Sequence, residues 1–146
     1  MEQLGDSLAD EGRLGEAEQA LRETLRMCAQ SPAGRSGTSG IAELRPAEVI
    51  LAGGDAGRAG EAAGLPEAVR PYVETQRFLR NVVFRYLLAS ARAAGLRHDP
   101  AARQLARQAL AVAAGTAPAL ARHPDVGRPR ASDADIADLE QLTAAT

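Results

Sequence analysis

The chain has no lysine and no tryptophan, a single cysteine, and only four aromatic residues in 146. Each absence excludes something. One cysteine, Cys28, cannot form an internal disulfide, which sets aside the disulfide-stapled secreted scaffolds and suits a reducing cytosol. With aromatics at 3%, the core falls to Leu, Val and Ala, side chains that favour closely packed helices over a thick sandwich. No apolar run approaches the roughly 20 residues of a membrane span. The acidic start MEQLGDSLADE lacks the basic and apolar regions of a signal peptide, so a soluble cytoplasmic protein is expected. Because lysine is absent, all 17 basic residues are arginine. GC-rich coding gives the same excess of Arg, Ala and Gly, so arginine alone is no sign of nucleic acid.

What is present fits one domain, with 45% apolar residues to form its core. The net charge of −2 hides a segregation. Residues 1–69 carry 12 acids and 6 Arg, residues 70–130 carry 11 Arg and 3 acids, and residues 131–146 carry 4 acids and no Arg. Either the acidic ends neutralise the basic middle within the fold, or the basic middle meets an acidic partner, protein or nucleic acid.

In LGDSLADEGRLGEAEQALRETL, Leu4, Leu8, Leu14, Ala17, Ala20, Leu21 and Leu25 recur at helical spacing, interrupted at Gly12. The spacing predicts two antiparallel helices, Glu2–Asp10 and Leu14–Cys28, drawn close by Ala17 and Ala20. Leu4 and Gly5, a large residue at Leu8, the turn glycine Gly12, the small Ala17 and the large Leu21 stand in register with one another. In that register the segment resembles a tetratricopeptide repeat over about residues 1–28. It departs from the pattern at Met1, where the signature has Trp, and at Pro32, where the closing proline is displaced. The resemblance implies stacked helix pairs whose first helices line a groove for a peptide or partner helix.

SPAGRSGTSG follows, and residues 31–45 read as a flexible Ser/Gly loop that stops the array. Residues 46–70 read as short helices: Pro46 begins one and Gly53 follows its end. The glycines Gly53, Gly54 and Gly57 imitate a nucleotide-binding loop, but the spacing is not G-x-G-x-x-G and no G-K-[ST] follows. Residues 71–114 read as a long central helix, Tyr72 to Ala94, and a packing helix after Asp99 and Pro100. The central helix holds all four aromatics, Tyr72, Phe78, Phe84 and Tyr86, which are expected in the core. Leu87 to Ala114 resembles a degenerate second repeat. Residues 115–131 form a Pro/Gly loop, and Ser132 caps a final helix in 132–143, with Ile136, Leu139 and Leu142 on one face.

Chemistry has little to stand on. His98 with Asp99 and His123 with Asp125 are the only acid–base or metal candidates, and both aspartates sit beside prolines where turns and caps use them. Cys28 has no neighbouring histidine and reads as a small apolar residue at a helix end. No catalytic, metal or cofactor site is expected, and no cofactor. The chain therefore reads as an all-α domain of antiparallel helix pairs, a short tetratricopeptide-like repeat or bundle. The resemblance implies a scaffold, without catalysis, for a protein or peptide partner, an acidic one included, with self-association open. Arg77, Arg80 and Arg85 are the groove candidates, able to bond acidic side chains. The alternative is nucleic-acid binding through residues 70–130, against which stand the pI of about 5.7 and the lack of a recognised motif.

Overall fold

The computed structural model describes residues 2–30, 41–115 and 120–145, and it is all-helical. Seven α-helices are described: α1 Glu2–Asp10, α2 Leu14–Gln30, α3 Leu44–Ala52, α4 Ala59–Thr75, α5 Arg80–Leu96, α6 Ala101–Ala114 and α7 Asp133–Ala144, with a 3₁₀ turn at Ala56–Arg58 before α4. Each helix from α1 to α6 packs on the next, α7 packs on α6, and α3 and α7 also both pack on α5. Two layers result, with α3, α5 and α7 side by side in one. No described helix is long and apolar enough to cross a membrane.

The first hairpin forms where its spacing predicted. Gly12 takes φ 76°, and the bonds Arg13 N–H to Leu8 O (2.9 Å) and Gly12 N–H to Ala9 O (3.0 Å) close α1 with a Schellman turn. Gly5 lets α2 approach: a Cβ there would lie 2.6 Å from Leu21 Cδ2. Leu8, Ala17, Ala20 and Leu21 then pack with Val49 of α3.

Residues 31–40 of the expected flexible loop lie outside the described residues. Its last part, 41–45, is not a loop of that kind. Ile41, Ala42, Glu43 and Leu44 are all buried, and Leu44 N–H bonds Ile41 O at 2.9 Å as α3 begins. Apolar Ile41 and Leu44 outweigh the Ser/Gly composition just before them. The short helices expected in 46–70 become α3 and the longer α4, a helix pair of their own, so three pairs are present.

The long central helix is the main correction. It is broken at residues 76–79 into the end of α4 and the start of α5. Along one straight helix Val69 and Val82 would stand about 20 Å apart. The corner instead brings both into one cluster with Ile41, Leu44 and Val73, so the burial of two stripes outweighs continuing the helix. Nothing in residues 76–79 is Gly or Pro. The turn is closed by Gln76 N–H to Tyr72 O (3.1 Å) and Leu79 N–H to Gln76 O (2.8 Å). The two nearby prolines, Pro66 and Pro71, sit inside α4 instead, each leaving a carbonyl without its helical donor.

The core runs through the stack as four apolar clusters, and α5 supplies residues to three of them. Its third and largest partner set joins Phe84, Leu87, Leu88 and Ala91 to Ala106 and Ala109 of α6 and Leu139 of α7. No residue of α5 is fully exposed. The aromatics do not all join it. Phe84 is 1% exposed and Tyr86 half-buried, whereas Tyr72, on the outer face of α4, is 38% exposed and Phe78, in the corner, 52% exposed.

Candidate partner-binding surface

The charge segregation is settled inside the fold only in part: of the basic middle, Arg70, Arg85 and Arg92 pair with acids of the flanking segments among the described residues. Arg45 on α3 donates to Asp6 (2.7 Å) and Asp10 (3.0 Å) of α1, and one turn later Glu48 accepts both Nε and Nη2 of Arg85 from α5 at 2.8 and 3.1 Å. Further along α5, Arg92 donates to Asp135 (2.8 Å) and Asp138 (2.6 Å) of α7. Alternating charges thus clamp α1, α3, α5 and α7. Partly buried, multiply bonded guanidinium pairs of this kind hold geometry better than isolated surface pairs.

A second set joins α2 to α4. Glu18 accepts Arg58 at 2.8 and 2.5 Å and Arg22 at 2.7 Å, while Glu61 accepts Arg58 at 3.0 Å and also Arg22. Four alternating charges close a ring. The Arg58 and Arg22 bonds outweigh burial and hold the Glu18 carboxyl down at about 2. On α7, burial opposes ionisation of Asp135, but the Ser132 amide and hydroxyl and the Arg92 guanidinium outweigh it and lower its pKa. Ser132 and Asp135 form a reciprocal capping box, so the expected cap on α7 stands.

The three arginines singled out from the sequence are placed very differently. Arg85 is the Glu48 clamp. Arg80 lies against Gly115 at the carboxyl end of α6, where a Cβ at position 115 would come 2.9 Å from its Cζ, and its buried Nη1 has no hydrogen-bond partner. The negative end of the α6 dipole favours a cation there. Arg77 is exposed in the corner and makes no ion pair among the described residues.

Arg77 rims an open groove of about 340 Å³ between α4, α5 and α6. Val73 of α4 and Val83 and Leu87 of α5 supply apolar lining, with Arg70, Tyr86 and Gln108 at its sides. Arg70 is held by Glu67 at 3.3 Å, and Glu67 also accepts the Tyr86 hydroxyl at 3.2 Å. Sequence reading missed these residues. Their signal was the stripe Arg70, Val73 and Glu74 along one face of α4, missed because the central helix was read as starting only at Tyr72. A notch of about 330 Å³ between α3 and α7 is lined by Leu51, Leu96 and Leu142, but its charges, Arg92 and Asp138, already pair with each other.

The histidines do not converge. His98 is exposed at the carboxyl end of α5, while His123 lies in the segment whose Gly127 O accepts Asn81 N–H at the opposite end, about 25 Å of helix away. Asp99 caps α6, accepting Ala101 N–H at 2.9 Å. Cys28 is half-buried in the last turn of α2. Among the described residues no cluster of three or more His, Cys, Asp or Glu could hold a metal. Fold and surface together define a class, an ion-clamped stack of helix pairs with an open groove. Compared with known proteins, the chain matches no family model, no curated protein and no solved structure.

Proposed function

We propose that the chain is a non-catalytic helical scaffold that binds a partner protein in the groove between α4, α5 and α6. The observation that carries this is an apolar lining of Val73, Val83 and Leu87 beside the unpaired Arg77, in a chain whose other helix-face charges are mostly tied within the fold. Val73 and Leu87 form a buried floor and the half-buried Val83 and Tyr86 the accessible walls, and arginine beside tyrosine and valine at the mouth of a groove is the composition of an interface centre. The two-layer stack of three helix pairs supports the tetratricopeptide-like reading, in which such a stack presents one partner surface.

Site-specific photocrosslinking tests it. A photoreactive residue replaces Gln108 in the groove or Gln19 on α2, and nuclease-treated host lysate is irradiated. A discrete crosslinked protein from position 108, absent from position 19 and lost with Arg77→Glu, is expected. Equal, diffuse crosslinking from both positions overturns the reading.

A further inference from the structure

The segment 120–130 crosses the amino-terminal end of α5, fixed there by the Gly127 O to Asn81 N–H bond of 2.9 Å. It is built from short turns: His123 N–H bonds Leu120 O at 3.0 Å and Val126 N–H bonds His123 O at 3.1 Å. Leu120 and Val126 are left exposed. So are Tyr72 and Phe78 at the corner that leads into the same end of α5. The exposed large apolar side chains elsewhere among the described residues are only Leu4 and Met27, both on the first hairpin. An apolar set at one end of the stack, in a protein so short of aromatics, marks an interaction surface.

Charge pairing also fails at this end. Arg77, Arg122 and Arg130 are exposed and make no ion pair among the described residues, and Arg128 reaches Asp125 only at 3.9 Å. The facing acids are Glu74 and Asp125. By contrast Arg45, Arg58, Arg85 and Arg92 each hold carboxylates on a neighbouring helix. Arg97 and Arg107 are unpaired too, on the α5–α6 turn and on α6.

Resting on the protein-binding reading above, we infer that this end of α5, with Arg77, Phe78, Leu120, Arg122, Val126 and Arg130, docks an acidic protein segment bearing apolar side chains. Charge complementarity selects the acids, and Leu120 and Val126 select the apolar anchors. Phe78 and Tyr72 offer π-faces on which a base could stack, but Leu120 and Val126 do not, and burying these aliphatic side chains requires apolar groups that a nucleic-acid backbone lacks, which favours a protein occupant. The chain shows the same chemistry in cis: the acidic helix α7 sets Asp135 and Asp138 on Arg92 and buries Leu139 in the α5–α6 core.

The test titrates the full chain into a fluorescein-labelled peptide of repeated Glu-Leu-Leu-Glu units, with a poly-Glu peptide and oligothymidine of equal length as comparisons, and reads anisotropy. The Leu-containing peptide should bind best. Arg77→Glu with Arg122→Glu, and separately Phe78→Ser, should each weaken it about tenfold, the loss typical of an interface centre. These positions are exposed, so unchanged circular dichroism is expected and checks folding. Equal binding of poly-Glu, tighter binding of oligothymidine, or no binding of any probe overturns the inference. Self-association in sedimentation velocity that Arg122→Glu abolishes would place a second copy there and likewise overturn it. If position 108 still crosslinks a lysate protein while the Leu-containing peptide fails, only the partner chemistry is lost and the scaffold reading stands.

Discussion

The first and third helix pairs reverse direction through the same backbone device built on different residues. After α1, Gly12 adopts φ 76°; after α5, His98 adopts φ 53°, with Asp99 N–H to Ala94 O at 2.9 Å and His98 N–H to Gly95 O at 3.1 Å. Both are Schellman closures. Glycine meets the left-handed conformation without penalty, whereas a residue with a Cβ is strained in it. The first hairpin rests on Leu8, Ala17, Ala20 and Leu21 with Val49, while the third is set in a larger cluster around Phe84 and Leu139. The comparison teaches that a strained turn persists where the surrounding packing is strong enough to impose it, and that a weakly packed hairpin needs the unstrained residue.

The comparison breaks most severely at Leu21, 1% exposed at the centre of the first hairpin. Leu21→Asp buries an unpaired charge and should cost roughly 4 kcal/mol or more, enough to abolish the thermal transition seen by circular dichroism. In the third pair, Leu139→Ala leaves a cavity under α7 and should cost about 3 kcal/mol, read from the urea midpoint at unchanged slope. That variant should still fold, because α5 and α6 keep their own contacts.

Smaller effects separate the clamps from the turns. Glu18 is held at about 2, below its ordinary 4.5, so its contribution to stability is complete above pH 4.5 and is lost as the pH falls towards 2. Glu18→Gln should therefore lower the melting temperature at neutral pH, and the deficit should shrink steadily in melts taken through that acid window. A deficit independent of pH would mean that packing, not the charge ring, is what Glu18 supplies. Gly12→Ala should cost about 1 kcal/mol by denaturant titration. His98→Gly should do the reverse, raising stability by roughly 0.5 kcal/mol as the strain is relieved. No gain there would show that the third turn carries no strain.

Much of the helical inventory was legible. The spacing of Leu8, Ala17 and Leu21 with Gly12 between the helices located the first hairpin, Gly53 marked the end of α3 and Pro46 its first turn, two residues after its start at Leu44, and Ser132 marked the start of α7. The α4–α5 corner was not, because Gln76 to Leu79 contain no breaker while Pro66 and Pro71 sit harmlessly within α4. Its loss hid the second helix pair and with it the face of α4 that lines the groove. The site reading suffered the same way. Arg77, Arg80 and Arg85 look alike in a basic stretch, yet only Arg77 is left unpaired at a groove, since Glu48 lies 37 positions before Arg85 and no local spacing signals that meeting.

What the amino-acid order by itself determined is local: which stretches are helical, how most of them are capped, and that small apolar side chains would pack them closely. These follow from propensity, periodicity and turn chemistry, which act over a few residues. Only the tertiary structure decided which charges were spent in clamps and which stayed open, and that the segment 120–130 is bonded to the amino-terminal end of α5. Those outcomes depend on contacts between residues far apart in the chain, set by burying two apolar stripes at once, and no short window contains both partners.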